Sequence, residues 1–230
     1  MTIQPKFALF TRLLAALLVV PANACAAESP LTSHEQQVSY TLGLEIASNI
    51  LRQGIELDAD AFSLAVQDVL AGKSPRLTPA AMQAAMAVEQ QRGAEQYNAI
   101  AARNLEKGQA FLAANRAKEG VKETASGLQY KVLKGGQGAK PSLTDTLEVH
   151  YVGTLTDGTE FDSSRRRGEP ITIQLGQVVK GWQEALQLMP AGSHWQIFLP
   201  TELGYGLQGS GGAIQPNQAL VFDIELLGIK

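Results

Sequence analysis

Cysteine and histidine, the side chains most often used for covalent and metal chemistry, are scarce in this 230-residue chain. The single cysteine, Cys25, excludes an internal disulfide and a thiolate metal cluster. The three histidines, His34, His150 and His194, have no ligand spacing, so we expect no metal site. The net charge is −3, whereas nucleic-acid-binding proteins usually carry an excess of basic residues, so we expect no nucleic-acid partner.

Motifs for nucleophilic or cofactor chemistry are missing as well. No G-x-S-x-G elbow surrounds Ser163, Ser164 or Ser210. Residues 204–209 match G-x-G-x-x-G, but a dinucleotide site needs a helix to begin there, and the following Ser-Gly-Gly-Ala-Ile-Gln-Pro cannot start one. We therefore expect no cofactor. The basic run Arg165–Arg167 is interpreted as a solvated loop.

Only one run of apolar residues is long, and it lies near the N-terminus. Lys6 and Arg12 precede the eight-residue run Leu13–Val20, and residues 22–26 contain two overlapping small-x-small cleavage patterns. This arrangement predicts a secretory signal peptide over residues 1–26. The alternative is a membrane anchor, but a spanning helix needs about 20 apolar residues. We therefore expect an exported mature chain without a transmembrane span.

Cys25 leaves two alternatives open. Removal with, or just beside, the signal peptide is favoured, because Ala22 is a poor match to the apolar residue that lipoprotein acceptors carry three places earlier. This alternative predicts a periplasmic protein. Lipid attachment through Cys25 would instead associate the protein with the outer membrane.

The mature chain divides into two regions that differ in glycine content and in the spacing of apolar residues. Only six of the 22 glycines precede residue 125. In that first region, residues 33–36 fit a capping box, and apolar residues then recur every fourth position over 38–50. Asp58 or Asp60 is placed to begin a second helix. Gly72 is placed to end it.

A third, much longer helix is predicted after Thr78-Pro79, because proline at the first helical position loses no hydrogen bond. Residues 80–118 are rich in good helix formers, which gives roughly 58 Å of helix at 1.5 Å per residue. Apolar residues are sparse in this segment, and polar residues occupy most faces of the predicted helix. This pattern is typical of a helix that bridges domains through solvent. Gly93, Gly108 and Gly120 are positions where it could bend or end.

The segment 33–72 holds only two short helices, and about forty residues rarely bury enough surface to fold alone. Its apolar stripes therefore need a partner, and we expect a second copy of the chain, a homodimer. The alternative is that they fold back on the long helix. The predicted domains are thus a helical dimerisation domain at 27–78, a connecting helix at 79–120 and a compact domain at 121–230.

After residue 125, apolar residues recur at every second position instead of every fourth. Asp157-Gly158 is a turn dipeptide between apolar runs, and residues 182–188 form a short helical pattern. About five strands are expected, at 128–132, 147–151, 171–175, 195–199 and 219–229. The pattern predicts an α+β fold in which an antiparallel sheet wraps around a short helix.

An aromatic set is the remaining candidate for function: Tyr151, Phe161, Trp182, Tyr205 and Phe222. These residues could simply form a core. However, they fall at strand ends and loops, and the ionisable Asp162 adjoins Phe161. An apolar bowl with few polar groups suits binding of a hydrophobic segment.

The same residues carry a family resemblance. Four motifs closely resemble the FKBP-type peptidyl-prolyl isomerases: VHYVGTLTDGTEFDSS from Val149, VVKGW from Val178, LGYG from Leu203 and LVFDIEL from Leu220. Upstream, Tyr-Thr-Leu-Gly at 40–43, Gln-Gly-Ile at 53–55 and Gln-Asp-Val-Leu-Ala-Gly at 67–72 are similar to the dimerising segment of the bacterial macrophage-infectivity-potentiator (Mip)-like subgroup.

The resemblance implies cis/trans rotation of X–Pro bonds with Asp162, Tyr205 and Tyr151 as catalytic residues. Trp182 would lie under the pyrrolidine ring, and the Tyr205 hydroxyl and Val179 N–H would hold substrate carbonyls. The other implied substrate-binding residues are Phe161, Arg167, Ile171, Val178, Ile214 and Phe222. Ile171 stands where many relatives carry an aromatic residue.

The implied partners are proline-containing unfolded or extended polypeptides, a second copy of the chain and macrolide inhibitors. We expect an isomerase acting on exported proteins, with chaperone activity beside catalysis. The alternative function is a non-catalytic chaperone or binding module, in which two bowls on long helices hold an unfolded or surface protein.

Overall fold

The computed structural model describes residues 31–230. The predicted signal peptide and Cys25 lie outside the described residues. Between residues 31 and 230, no helix is both long and apolar enough to cross a membrane. The chain divides into two compact units, the first ending at Leu57 and the second spanning Asp58–Lys230.

Helix α1 (His34–Arg52) is the described helix of the first unit. The Ser33 hydroxyl accepts a hydrogen bond from the Gln36 N–H at 3.2 Å, and the Gln36 side chain accepts one from the Ser33 N–H at 3.1 Å. The predicted capping box is therefore confirmed. Gly54, with φ of 77°, follows the helix in the left-handed region, as expected for a helix end. No residue of α1 is buried.

Helix α2 (Ala59–Leu70) begins the second unit. The Asp58 carboxylate accepts a hydrogen bond from the Ala61 N–H at 2.8 Å, so Asp58 rather than Asp60 is the N-cap. Gly72 has φ of 65° and lies just after the helix, where its end was predicted.

Helix α3 (Pro79–Arg116) is 38 residues long and continues through Gly93 and Gly108. The expectation that it crosses solvent is wrong for its C-terminal half, because Ala101, Gly108 and Asn115 are buried. A glycine and an amide at these positions pack against the rest of the second unit. Counting apolar residues does not detect a face built from such small and polar side chains.

After α3, the second unit is built on one antiparallel sheet. Its order in space is β1-β2-β6-β7-β3-β4, with β5 paired beside β3. The seven strands within the described residues are β1 (Val121–Glu123), β2 (Gln129–Lys134), β3 (Thr146–Leu155), β4 (Glu160–Ser163), β5 (Ile171–Gln174), β6 (His194–Leu199) and β7 (Leu220–Ile229).

Two of these strands, β1 and β4, were not expected from the sequence. They have three and four residues, too few to show an alternating period. The turn before β4 was predicted correctly. Gly158 has φ of 90°, its N–H donates to the Leu155 carbonyl at 3.0 Å, and the Leu155 N–H donates to the Thr159 carbonyl at 2.9 Å.

The hydrophobic core lies between the sheet and helix α5 (Lys180–Leu188). The helix contributes Trp182, Ala185 and Leu186, and the sheet contributes the fully buried side chains of Leu147, Val149, Ile197 and Ile224. Each large apolar side chain buried this way stabilises the fold by about 1.5–3 kcal/mol. The predicted α+β fold, a sheet around a short helix, is confirmed.

Candidate functional site

An open cavity of about 330 Å³, which we call the bowl, lies where four strands meet the N-terminal end of α5. Strands β3, β4, β5 and β7 supply side chains to it, as do α5, the segment between β5 and α5, and the loop that follows β6. The lining residues are Tyr151, Phe161, Asp162, Ile171, Ile173, Gln177, Val178, Val179, Trp182, Tyr205 and Phe222.

The floor of the bowl is a cluster of aromatic rings packed edge to face. The Trp182 ring centroid lies 5.2 Å from that of Tyr151 and 5.3 Å from that of Phe222, at interplanar angles of 80° and 87°. Phe161 and Phe222 repeat the arrangement at 5.6 Å and 86°. Edge-to-face pairs of this kind contribute about 0.5–1.5 kcal/mol beyond their buried area, so the cluster presents a fixed apolar surface.

Gly153 leaves the space that this ring packing needs. It pairs with Phe222 across β3 and β7 and with Asp162 across β3 and β4. A Cβ atom at Gly153 would lie 2.7 Å from the Phe161 ring and 2.9 Å from the Phe222 ring. The sequence analysis did not identify this residue, because a glycine within an alternating strand has no side chain to signal a role.

Asp162, Tyr151 and Arg167 form the charged part of the bowl. The Tyr151 hydroxyl donates to one Asp162 carboxylate oxygen, and Arg167 donates to the other at 2.5 Å. Arg167 also donates to the Tyr151 hydroxyl at 3.0 Å, and its guanidinium lies 5.7 Å from the centre of the tyrosine ring. The three side chains therefore hold each other in one arrangement.

This arrangement shifts the ionisation of all three groups. For Asp162, burial acts to raise the pKa, but the hydrogen bonds from Tyr151 and Arg167 outweigh burial and the pKa lies below its ordinary value. Burial raises the pKa of Tyr151, and the hydrogen bond to Asp162 raises it further. The Tyr151 hydroxyl and the Asp162 carboxylate raise the pKa of Arg167. At neutral pH the group is a carboxylate, a neutral phenol and a guanidinium.

A second polar contact fixes the position of Tyr151. The Ser164 hydroxyl accepts from the Tyr151 N–H at 2.8 Å and donates to the Tyr151 carbonyl at 3.2 Å, and Ser164 is fully buried. Ser164 begins helix α4 (Ser164–Arg167), which carries Arg167 to the rim. Ser164 is thus a positioning residue, and only its place in the family motif could have indicated this from sequence.

The basic run Arg165–Arg167 is a short helix rather than the expected loop. Each arginine pairs with a carboxylate, Glu225 at 2.6 Å, Glu160 at 3.1 Å and Asp162 at 2.5 Å. These carboxylates therefore largely neutralise the positive charge of the three arginines.

Tyr205 enters the bowl from a loop and is 37% exposed. It precedes a short 3-10 helix, Gly206–Gln208, and an isolated bridge joins Ser210 to Ile214. Within this described stretch, the G-x-G-x-x-G residues 204–209 lie in a loop and a 3-10 helix rather than at the start of an α-helix.

Nine of the eleven residues predicted for the site line the bowl. Arg167 instead contacts it through Asp162 and Tyr151. Ile214 is 6% exposed and belongs to the hydrophobic core. Two lining residues were missed, Ile173 and Gln177. Ile173 is two residues from Ile171 on the same strand, so the alternating period could have placed both on one face.

Comparison with known proteins decides the family. Residues 137–227 match the family described as FKBP-type peptidyl-prolyl cis-trans isomerase, and residues 35–132 match the domain amino-terminal to such isomerases. The chain belongs to the FKBP-type peptidyl-prolyl cis-trans isomerases.

Curated relatives extend the match over nearly the whole chain. The chain is 42% identical to "Outer membrane protein MIP" of Legionella longbeachae, over 98% of each sequence. It is 48% identical to the FKBP-type isomerase FkpA of Aeromonas hydrophila, over 91% of this chain and 81% of the relative. These identities place it among the Mip- and FkpA-like isomerases and make it a peptidyl-prolyl isomerase.

A solved structure agrees with the fold. The crystal structure of FkpA from Escherichia coli is similar to this chain with a TM-score of 0.64 and 35% identity, over 87% of this chain and 99% of that one. The FKBP-like fold, with helices before an antiparallel sheet, is therefore shared with a solved isomerase.

Proposed function

We propose that the bowl is where this isomerase rotates X–Pro bonds, with Asp162, Tyr205 and Tyr151 as catalytic residues. The observation that supports this most is the combination of an edge-to-face aromatic floor with a single ion pair, Asp162–Arg167, at the bowl. The floor accepts the pyrrolidine ring through Trp182. Phe161, Ile171, Val178, Val179 and Phe222 surround the ring, and Ile214 supports them from the core.

The physical task is to lower a rotational barrier of about 18–20 kcal/mol that arises from amide resonance. The rotated amide has lost resonance and is less dipolar than the planar one. An apolar site with little water therefore favours it over the ground state. No bond is broken and no proton needs a base, which fits a site built from rings. About 4 kcal/mol of differential binding gives roughly a thousandfold acceleration.

The polar groups hold the peptide while the bond turns. The Tyr205 hydroxyl and the Val179 N–H donate to substrate carbonyls, so rotation is confined to one bond. Asp162 is ionised and holds the Tyr151 hydroxyl, which keeps the ring edge against Trp182. Arg167 neutralises that carboxylate, so the bowl carries no net charge near the apolar floor.

The assignment is tested with a proline-containing tetrapeptide and the variant Tyr205→Phe. Removal of one hydroxyl should lower kcat/KM about tenfold, because a donor aimed at the reacting carbonyl is lost. Tyr130→Phe, the same change on strand β2 and outside the bowl, should keep wild-type activity. Equal activity of the two variants would count against Tyr205. A macrolide inhibitor of the family should compete with the peptide.

We also propose that the protein is exported to the periplasm and acts there on proline-containing unfolded or extended polypeptides. The support is the predicted signal peptide at 1–26, together with a relative named as an outer membrane protein. Mass spectrometry of the mature N-terminus distinguishes the alternatives. Cleavage without lipid supports a free periplasmic protein, and a diacylglyceryl group on Cys25 would show a lipid anchor.

The helical segment 27–78, ahead of a connecting helix at 79–120 and an isomerase domain at 121–230, is proposed to form a homodimer. Helix α1 buries none of its residues, and in the second unit Val69 and Leu70 of α2 are 77% and 83% exposed. A cavity of about 500 Å³ with an apolar lining lies between α2 and the start of α3. Exposed surface of this kind marks an interaction site. A sedimentation mass of one chain at micromolar concentration would refute the dimer.

Chaperone activity is the second proposed function, carried by the same helices. The exposed apolar side chains before residue 90 offer a surface on which an unfolded protein can bind. Removal of residues 27–78 should then weaken suppression of aggregation while peptide isomerisation persists. Unchanged suppression would exclude this role.

A further inference from the structure

The C-terminal half of α3 contacts the loop that carries Tyr205. We define the helix stripe as Tyr97, Ala101, Asn104 and Gly108, and the bowl loop as residues 204–219. The stripe residues are spaced by four, three and four positions, so they share one face of α3.

Four hydrogen bonds join the two elements. The Tyr97 hydroxyl donates to the Leu207 carbonyl. The Asn104 amide donates to the Pro216 carbonyl at 2.9 Å and to the Gln215 side-chain oxygen at 3.5 Å. In the opposite direction, the Asn217 amide donates to the Ala101 carbonyl at 3.4 Å. The bonds reach both arms of the bowl loop, one on the Tyr205 side and three on the return side.

Close packing continues the contact at the base of the loop. Gly108 is buried, and a Cβ atom there would lie 2.9 Å from the Ala219 Cβ. Ala101 is 4% exposed and Ala219 is 5% exposed. Small residues on both sides therefore let the helix backbone approach the loop directly.

The bowl loop is rich in glycine, and apart from the helix it is held by the Ser210–Ile214 bridge and by the buried side chain of Ile214. It contains five glycines, at 204, 206, 209, 211 and 212, and Leu207 is 53% exposed. Glycine-rich backbone loses much conformational entropy when it is ordered. Asn217 has φ of 56°, and its N–H donates to the Gly206 carbonyl at 2.8 Å, which closes the loop on itself. The side chain of that same residue is bonded to α3.

We propose that the helix stripe positions the bowl loop, and with it the Tyr205 hydroxyl, for catalysis. Tyr97 and Asn104 are positioning residues, since they act through the loop and do not line the bowl. This inference rests on the proposed role of Tyr205. It makes the connecting helix part of the catalytic unit.

The test combines Tyr97→Phe with Asn104→Asp, which removes both donors at nearly constant volume. In the full-length protein kcat/KM for a proline-containing peptide should fall about tenfold, because small displacements of a catalytic group are costly. Amide hydrogen exchange should quicken in residues 205–217 and stay unchanged in the sheet. Asn98→Asp, the same change at an exposed position of α3, should leave both readouts at wild-type values. Asn104→Gln, which keeps an amide donor, should restore part of the activity.

The decisive comparison repeats the double change in a Tyr205→Phe background. If the helix stripe acts through the Tyr205 hydroxyl, the further loss should be less than about twofold, since coupled residues are not additive. An equal fold-loss in both backgrounds, or wild-type kcat/KM in the double variant, would overturn the inference. Wild-type activity of Tyr205→Phe itself would instead reject the site assignment, while the hydrogen-exchange result would still report whether the helix holds the loop.

Discussion

At the scale of single residues, the bowl depends on a position without a side chain as much as on its rings. Gly153 lies beneath Phe161 and Phe222, at distances that exclude a methyl group. These rings in turn fix Trp182, since Phe222 packs edge to face against it. A change that adds only one carbon should therefore alter the shape of the site.

Gly153→Ala should lower kcat/KM for a proline-containing peptide about tenfold, because Phe161 or Phe222 must move into the bowl. The free energy of unfolding should fall by about 1–3 kcal/mol, the usual cost of overpacking. Both can be measured by a peptide assay and urea denaturation. Gly135→Ala, where a Cβ meets no atom within 4 Å, should match wild type in both measurements. Wild-type activity of Gly153→Ala would contradict the packing account.

The ionisation of Asp162 makes a second prediction. Its folded pKa is lower than the ordinary 3.8, so its contribution to stability is present above pH 3.8 and is lost as pH falls through the folded pKa. Tyr151, with a raised pKa, stays neutral past its ordinary 10.0. Isomerase activity should therefore be flat between about pH 5 and pH 9. An acid limb centred above pH 5 that disappears in Asp162→Asn would contradict this.

At the scale of helices and strands, strong periodicity was enough to predict most of the fold. The capping box at Ser33, the proline start of α3 and the turn at Gly158 follow from local chemistry and are confirmed. Strands β1 and β4 were missed because three or four residues carry no period. The docked face of α3 was missed because its side chains are small or amide, and the hydrogen-bond partners of Ala101 and Asn104 lie more than a hundred positions away in sequence.

The site was predicted through the family motifs rather than from residue patterns alone. Composition and spacing predicted an aromatic bowl and left a plain core as an alternative. Both are partly correct, since Trp182 and Phe222 are 6% and 4% exposed and belong to the core while also lining the bowl. Gln177 carried no signal, because a polar loop residue is indistinguishable from its neighbours in sequence.

Close approach of α5 to the sheet gives a prediction at this scale. A Cβ atom at Gly181 would lie 2.5 Å from Leu199, which is fully buried. Gly181→Ala should therefore lower the free energy of unfolding by about 1–3 kcal/mol despite the better helix propensity of alanine. Gly93→Ala in α3, where a Cβ meets no atom within 4 Å, should raise it by up to about 1 kcal/mol. Urea denaturation of both variants measures the difference, and stabilisation by Gly181→Ala would contradict the packing.

At the scale of the whole molecule, residues 58–230 form one compact unit that includes both the bowl and the docked half of α3. The long helix is therefore part of the isomerase unit along its last five turns or so, about 3.6 residues each. Its first half and helix α2 leave apolar side chains exposed. This division of one helix into a docked half and an exposed half supports the dimer and chaperone roles proposed above.

The central claim is that the bowl of this FKBP-type isomerase is the place where X–Pro rotation is accelerated. Refolding of a protein limited by proline isomerisation tests it most directly, with wild type compared with the double variant Asp162→Ala/Tyr205→Ala. The wild type should accelerate the slow phase. Circular dichroism should first show that the double variant is folded. That variant should then lose at least about tenfold of the acceleration, since an anchoring carboxylate and a carbonyl donor are both removed. Full acceleration by the folded double variant would contradict the account.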